Sequence, residues 1–114
     1  MVFNYKTSTK ENIKTFQLTG ELIDRNQAVA LLSEIETDIA NGKNKFLLNL
    51  QELKYANSSG LNVLINILTK ARKAGGDVAI CCVNKKISEL LAITKLDSIF
   101  NVSTDEADAF TKLN

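Results

Sequence analysis

The sequence predicts a single α/β domain: a mixed, mostly parallel sheet of about four to five strands with about four helices. Three observations carry that prediction. Short apolar runs alternate with segments of helical period along the chain. After its first residue the run Lys45–Leu50 is apolar on both faces except at Asn49, as in a strand buried between helical layers. The segments between later strands are long enough to be helical crossovers, which parallel pairing requires. With 114 residues, no proline, no repeat and no low-complexity segment, residues 1–114 make one domain.

The elements follow in order. Residues 2–7 and 12–19 read as two short antiparallel strands around the polar turn Ser8-Thr9-Lys10-Glu11. In the second strand Phe16 and Leu18 keep a period of two, and Ile13 is a core contact that breaks it. Thr19-Gly20-Glu21-Leu22 reads as the exit from that strand. Asp24, with Gln27 three residues later, forms a capping-box pattern that opens a helix over 25–41. Ala28, Leu31, Leu32, Ile35 and Ile39 line its buried face, and Asn41-Gly42 ends it. A strand over 45–50 comes next.

A second helix, about 59–74, places Leu61, Leu64, Ile65 and Leu68 on one stripe, widened by Val63, Ile67, Ala71 and Ala74. Its polar stripe is narrow: Asn62, Asn66, Thr69, Lys70 and Lys73. Gly75-Gly76 stops it before a core strand over 77–83. Asn84 caps a short helix in which Ile87, Leu90, Leu91 and Thr94 share a face. Residues 99–102 read as an edge strand, and Ser103 with Glu106 forms a further capping-box match before a last helix carrying Ala107 and Phe110.

Composition narrows the function. A net charge of +1, with cations spread along the chain, argues against a dedicated nucleic-acid binder. No apolar run approaches the ~18 residues of a membrane span, and the N-terminus lacks a signal-peptide pattern. Cys81 and Cys82 lie together in an apolar run and read as small core residues of a reduced, cytoplasmic protein. Histidine is absent, which removes the commonest general base and metal ligand. There is no P-loop and no GxGxxG. The expectation is a protein without catalytic residues, metal or cofactor.

One stretch stands out. Asn57-Ser58-Ser59-Gly60 offers a carboxamide, two hydroxyls and a glycine where a helix must begin. The open N–H groups and positive dipole end of such a start suit a side-chain cap, a bound anion or a covalent phosphate. Of the two hydroxyls, Ser59 reads as the cap and Asn57 as a turn residue. The residues alone do not choose between cap and phosphate at Ser58.

The apolar strand, the Ser58-Ser59-Gly60-Leu61 turn, the helix ending in Ala74-Gly75-Gly76 and the strand Val78 to Cys82 resemble the STAS family (sulfate transporter and anti-sigma factor antagonist domains). Leu18-Thr19-Gly20-Glu21-Leu22, Glu89-Leu90-Leu91 and Leu96-Asp97 are similar to it as well. A free-standing domain of this kind looks most like a bacterial anti-sigma factor antagonist. The resemblance implies that Ser58 is phosphorylated by the anti-sigma factor, an ATP-using serine kinase, that the unphosphorylated form binds that partner, and that a phosphatase resets the cycle. It implies a partner-facing edge that includes Glu21 and Asp24. Asn57, Ser59, Gly60 and Asn62, beside Ser58, complete the expected partner face, with Gly60's missing side chain admitting a partner's backbone. Three positions depart from the family pattern: Asn57 where aspartate is usual, Asn62 where glycine is common, and Ile23 where an acidic residue is common. The alternative implied by the same resemblance is an accessory STAS subunit of a membrane transporter, as in lipid-transport ATPase complexes, needing no phosphate.

Overall fold

A computed structural model describes residues 2–114. The first hairpin pairs β1 (Asn4–Lys10) with β2 (Ile13–Leu22) through a two-residue turn at Glu11-Asn12. Both turn residues have positive φ, 54° and 65°, the backbone twist that closes a tight hairpin. The turn is therefore later and shorter than the polar run Ser8–Glu11 suggested. Ser8, Thr9 and Lys10 are instead strand residues on an exposed sheet edge, and only Glu11 of that run belongs to the turn.

Beyond the hairpin, Asp24 accepts from Asn26 N–H while Gln27 accepts from the Asp24 N–H, so the expected capping box is present. It opens one 3₁₀ turn, Arg25–Ala28, which runs into α1 (Val29–Ala40). β3 (Lys45–Ala56), α2 (Ser58–Lys73), β4 (Asp77–Cys81), α3 (Lys85–Ile93), β5 (Asn101–Ser103) and α4 (Glu106–Leu113) complete the chain. The sheet order is β1-β2-β3-β4-β5, antiparallel in the first pair and parallel in the others.

Two cores lie on the two faces of this sheet. The larger one packs α1, α2 and α3 on Phe16, Leu18, Phe46, Leu48, Val78 and Ile80. The smaller packs Ala109 and Leu113 of α4 on Ile13, Leu47, Ala79 and Cys81. Ile13 breaks the period of two because it faces this second core while Phe16 and Leu18 face the first. In α4 the buried residues are Ala109 and Leu113; Phe110 is half-buried and Ala107 exposed. Thr94 and Ala74 also lie outside the cores, each as the C-cap of its helix.

Two strands run further than their apolar patterns suggested. β3 continues past Leu50 to Ala56, and β2 continues through Gly20 to Leu22. The register explains why. Gln17 pairs with Asn49 but Thr19 with Glu52, and Gly20 with Leu53 but Glu21 with Tyr55. Each shift inserts an extra residue into β3, which reverses the alternation and returns Leu53 and Ala56 to the face of Leu50. The bulged backbone is satisfied locally: Gln51 N–H donates to Asn49 Oδ1, and Asn49 Nδ2 donates to Glu106. Gly20 sits at the second irregularity with φ 85°, and a Cβ there would fall 2.2 Å from the Val2 carbonyl oxygen.

One polar cluster ties the hairpin to α1. The Lys14 ammonium lies 2.6 Å from Glu34 and 2.9 Å from Asp38, and Tyr5 donates to Glu34 at 2.9 Å. The Lys14 hydrogen bond holds the Glu34 carboxyl below its ordinary value against the opposing effect of burial. Burial pulls the Lys14 pKa down, yet its two carboxylate partners outweigh it and the net direction is upward.

Candidate functional site

The chain leaves β3 at Ala56 and enters α2 two residues later. Between them Asn57 is extended, with φ −96° and ψ −169°, the conformation an N-cap requires. Its Oδ1 accepts from Gly60 N–H at 2.9 Å, so the carboxamide caps α2 and the expected cap at Ser59 is displaced. Its Nδ2 donates to the Ile23 carbonyl at 2.9 Å, and its N–H to the Leu22 carbonyl at 3.3 Å. One side chain thus closes the helix start and fastens it to the loop between β2 and α1.

This arrangement leaves the serines spare. Ser58 and Ser59 are exposed, and neither hydroxyl makes a hydrogen bond among the described residues. Ser58 is the first helical residue, with its N–H group unpaired inside the helix as for any first-turn residue. A hydroxyl there has solvent access, a positive dipole end behind it and no structural duty.

Gly60 is buried, and the reason for glycine is internal. A Cβ on it would fall 2.0 Å from the Leu22 carbonyl oxygen and 3.2 Å from Ala56 Cβ. Its bare backbone lets α2 seat against the end of β2, so the expectation that it admits a partner's backbone is replaced by this contact with the chain's own backbone.

Glu21 and Asp24 lie on the same edge. Glu21 is half-buried at the end of β2 and pairs in register with Tyr55, next to Ala56. Asp24 is exposed, but one of its carboxylate oxygens is committed to the cap of the 3₁₀ turn. The fold therefore gathers Asn57, Ser58, Ser59, Glu21 and Asp24 around the C-terminal ends of β2 and β3. Asn62 adjoins them one turn along α2. It lines an open cleft of about 230 Å³ with Ser59, Val63, Asn66 and Arg25. Arg25 is the residue that sequence reasoning missed. Cations are spread along the chain, and only the 3₁₀ turn after Asp24 carries this one to α2. Ile23, 45% exposed beside the Asn57 bond, adds apolar surface to the edge.

At the other chain end, Ser103 and Glu106 do not form a capping box. Asp105 caps α4 by accepting from Asp108 N–H at 2.8 Å. Ser103 belongs to β5, where its buried hydroxyl lacks a partner, and Glu106 accepts from Asn49. Among the described residues no group of three His, Cys, Asp or Glu side chains could hold a metal ion, and no helix is long and apolar enough to cross a membrane.

Residues 4–109 match the family described as the STAS domain, which is nearly the whole chain. The chain belongs to the STAS domain family. The anti-sigma F factor antagonist of Paenibacillus polymyxa is 28% identical over 97 residues, covering 85% of this chain and 83% of that protein. Among solved structures, an anti-sigma factor antagonist from Mycobacterium paratuberculosis has a TM-score of 0.81 over 97% of this chain and 93% of its own, at 21% identity. The Bacillus cell fate determinant SpoIIAA in its phosphorylated form has a TM-score of 0.74 over 97% of this chain and 100% of its own, at 16% identity. At those identities the two structures establish a shared STAS fold.

Proposed function

We propose that this STAS domain is an anti-sigma factor antagonist that works by binding rather than catalysis. In its unphosphorylated form it captures an anti-sigma factor that is itself an ATP-dependent serine kinase. Phosphorylation of Ser58 releases that partner, and a phosphatase restores the binding form, all within the cytoplasm. The observation that carries this reading is the division of labour at the start of α2: Asn57 supplies the cap, so the exposed Ser58 hydroxyl is free for chemistry. The name of the Paenibacillus relative supports the same reading.

The energetics agree. A phosphate on Ser58 adds about −1.5 to −2 charge at pH 7. At a helix N-terminus that charge is favoured by roughly 0.3–1 kcal/mol, so the fold tolerates it. A partner docked on Asn57, Ser59, Asn62, Glu21 and Asp24 meets the same charge as repulsion and desolvation. Gly60 serves that face from beneath, by seating α2.

The test is affinity capture from native lysate with ATP or ADP, using wild-type and Ser58→Glu baits and mass spectrometry. The reading expects wild type to retain an ATP-binding serine kinase and the glutamate variant to lose it, with phosphate mapped to Ser58 after incubation with that kinase. Retention of the same transporter subunits by both baits would sink it in favour of a static accessory role.

A further inference from the structure

A second chemical site lies away from Ser58, where β4 ends. Cys82 turns the chain out of the strand with φ 64°, a conformation uncommon for residues bearing a side chain. The turn places its Sγ 2.8 Å from the Sγ of Cys81, and both are free thiols. The two sulfurs are thus in direct contact, the juxtaposition from which an S–S bond can close. Cys81 is fully buried in the small core beneath α4, whereas Cys82 is half-buried at its rim. One sulfur is reachable and its neighbour is shielded.

We propose that Cys81 and Cys82 form an oxidisable vicinal dithiol, a modification site for low-molecular-weight disulfides. Cys82 loses its proton to solvent and attacks one sulfur of the small disulfide, forming a mixed disulfide and expelling one thiolate. Cys81 then gives its proton to water and attacks Cys82 Sγ, closing the protein disulfide and expelling the second thiolate. Two protein thiols are oxidised, and one small disulfide is reduced to two thiols. Burial raises the Cys81 thiol above its ordinary range, consistent with Cys82 attacking first.

The product is labile by construction. Adjacent Cα atoms are about 3.8 Å apart across a trans peptide, short of the roughly 4.4–6.8 Å that disulfides prefer. Strain of this kind makes the bond easy to reduce, so the dithiol is the resting form. Ring closure would also pull on Asn84, two residues on, which caps α3 and holds the Leu53 carbonyl of β3 at 2.7 Å.

The test uses the full chain with excess oxidised glutathione, followed by intact mass and peptide mapping without reductant. Wild type is expected to lose two hydrogens, carry no adduct, and recover fully with reduced glutathione. Cys81→Ala is expected to stop at a stable glutathione adduct on Cys82, and Cys82→Ala to remain unmodified. A lasting adduct on wild type, an intermolecular dimer, or no change overturns the proposal. If Cys81→Ala fails to fold, the wild-type masses alone decide.

Discussion

Two helix starts in this domain are built alike and end differently. At α2, Asn57 Oδ1 accepts from Gly60 N–H and its Nδ2 donates to the Ile23 carbonyl. At α3, Asn84 Oδ1 accepts from Ile87 N–H and its Nδ2 donates to the Leu53 carbonyl. Each carboxamide caps its helix and staples it to a neighbouring segment, a double role that aspartate cannot fill because it lacks the donor. The residues that follow differ. Lys85 and Lys86 follow Asn84, while Ser58, Ser59 and the buried Gly60 follow Asn57. The comparison teaches that the cap does not explain the serines. The same motif closes α3 without any hydroxyl.

The most damaging way to break the parallel is Gly60→Ala. Helix propensity alone favours alanine by about 1 kcal/mol. The 2.0 Å approach to the Leu22 carbonyl forces backbone movement, and overpacking of this severity costs about 3 kcal/mol. Urea unfolding should therefore show a net loss of about 2 kcal/mol or more, and a gain would mean that α2 is not seated on β2. The two cap deletions come next. Asn57→Ala and Asn84→Ala each remove a cap worth about 1 kcal/mol and a second neutral hydrogen bond of similar value. Equal losses of about 2 kcal/mol in urea would confirm the parallel, and a much smaller loss at Asn57 would show that another group closes α2.

Asn57→Asp sharpens the comparison further. It keeps the capping oxygen and adds a charge that the helix start favours by roughly 0.3–1 kcal/mol. It also removes the donor to the Ile23 carbonyl, a neutral hydrogen bond worth about 1 kcal/mol that the added charge largely offsets. The expected stability change is below about 1 kcal/mol. The larger signal should be faster amide exchange in α1's 3₁₀ lead-in and the loop before it, with α3 unchanged.

How much of this was legible beforehand follows from the same residues. Long periodic segments such as α1 and α2 were readable because their apolar spacing is dictated by burial on one face. The caps at Asp24 and Asn84 were readable because a capping side chain needs only local geometry. The far halves of β2 and β3 were not, because their bulges reverse the alternation that marks a strand. Gly20 looked like an exit for that reason. The cap at α2 was misplaced onto Ser59, since asparagine and serine both cap well and nothing local tells them apart. Glycine at 60 was visible, but its reason, a carbonyl 38 residues earlier at Leu22, is a tertiary fact. Alternating apolar runs and helical segments supplied the fold class, and the STAS resemblance agreed with it and pointed at Ser58; the free hydroxyl had to come from the structure.

The smallest stability effect is the most informative one. Ser58→Ala deletes an exposed hydroxyl that makes no hydrogen bond, so its unfolding free energy should stay within about 0.5 kcal/mol of wild type. A cap residue in that position would lose about 1 kcal/mol. Run beside Asn57→Ala, the pair assigns the cap by energy as well as by geometry. The proposed function adds a second readout to the same protein: Ser58→Ala should bind the kinase partner like wild type but accept no phosphate from it. A stable variant that still takes up phosphate would move the modification to another residue, Ser59 being the next exposed hydroxyl on that turn. Loss of stability and loss of phosphate together would make Ser58 a structural residue whose modification state cannot switch a partner without disturbing α2.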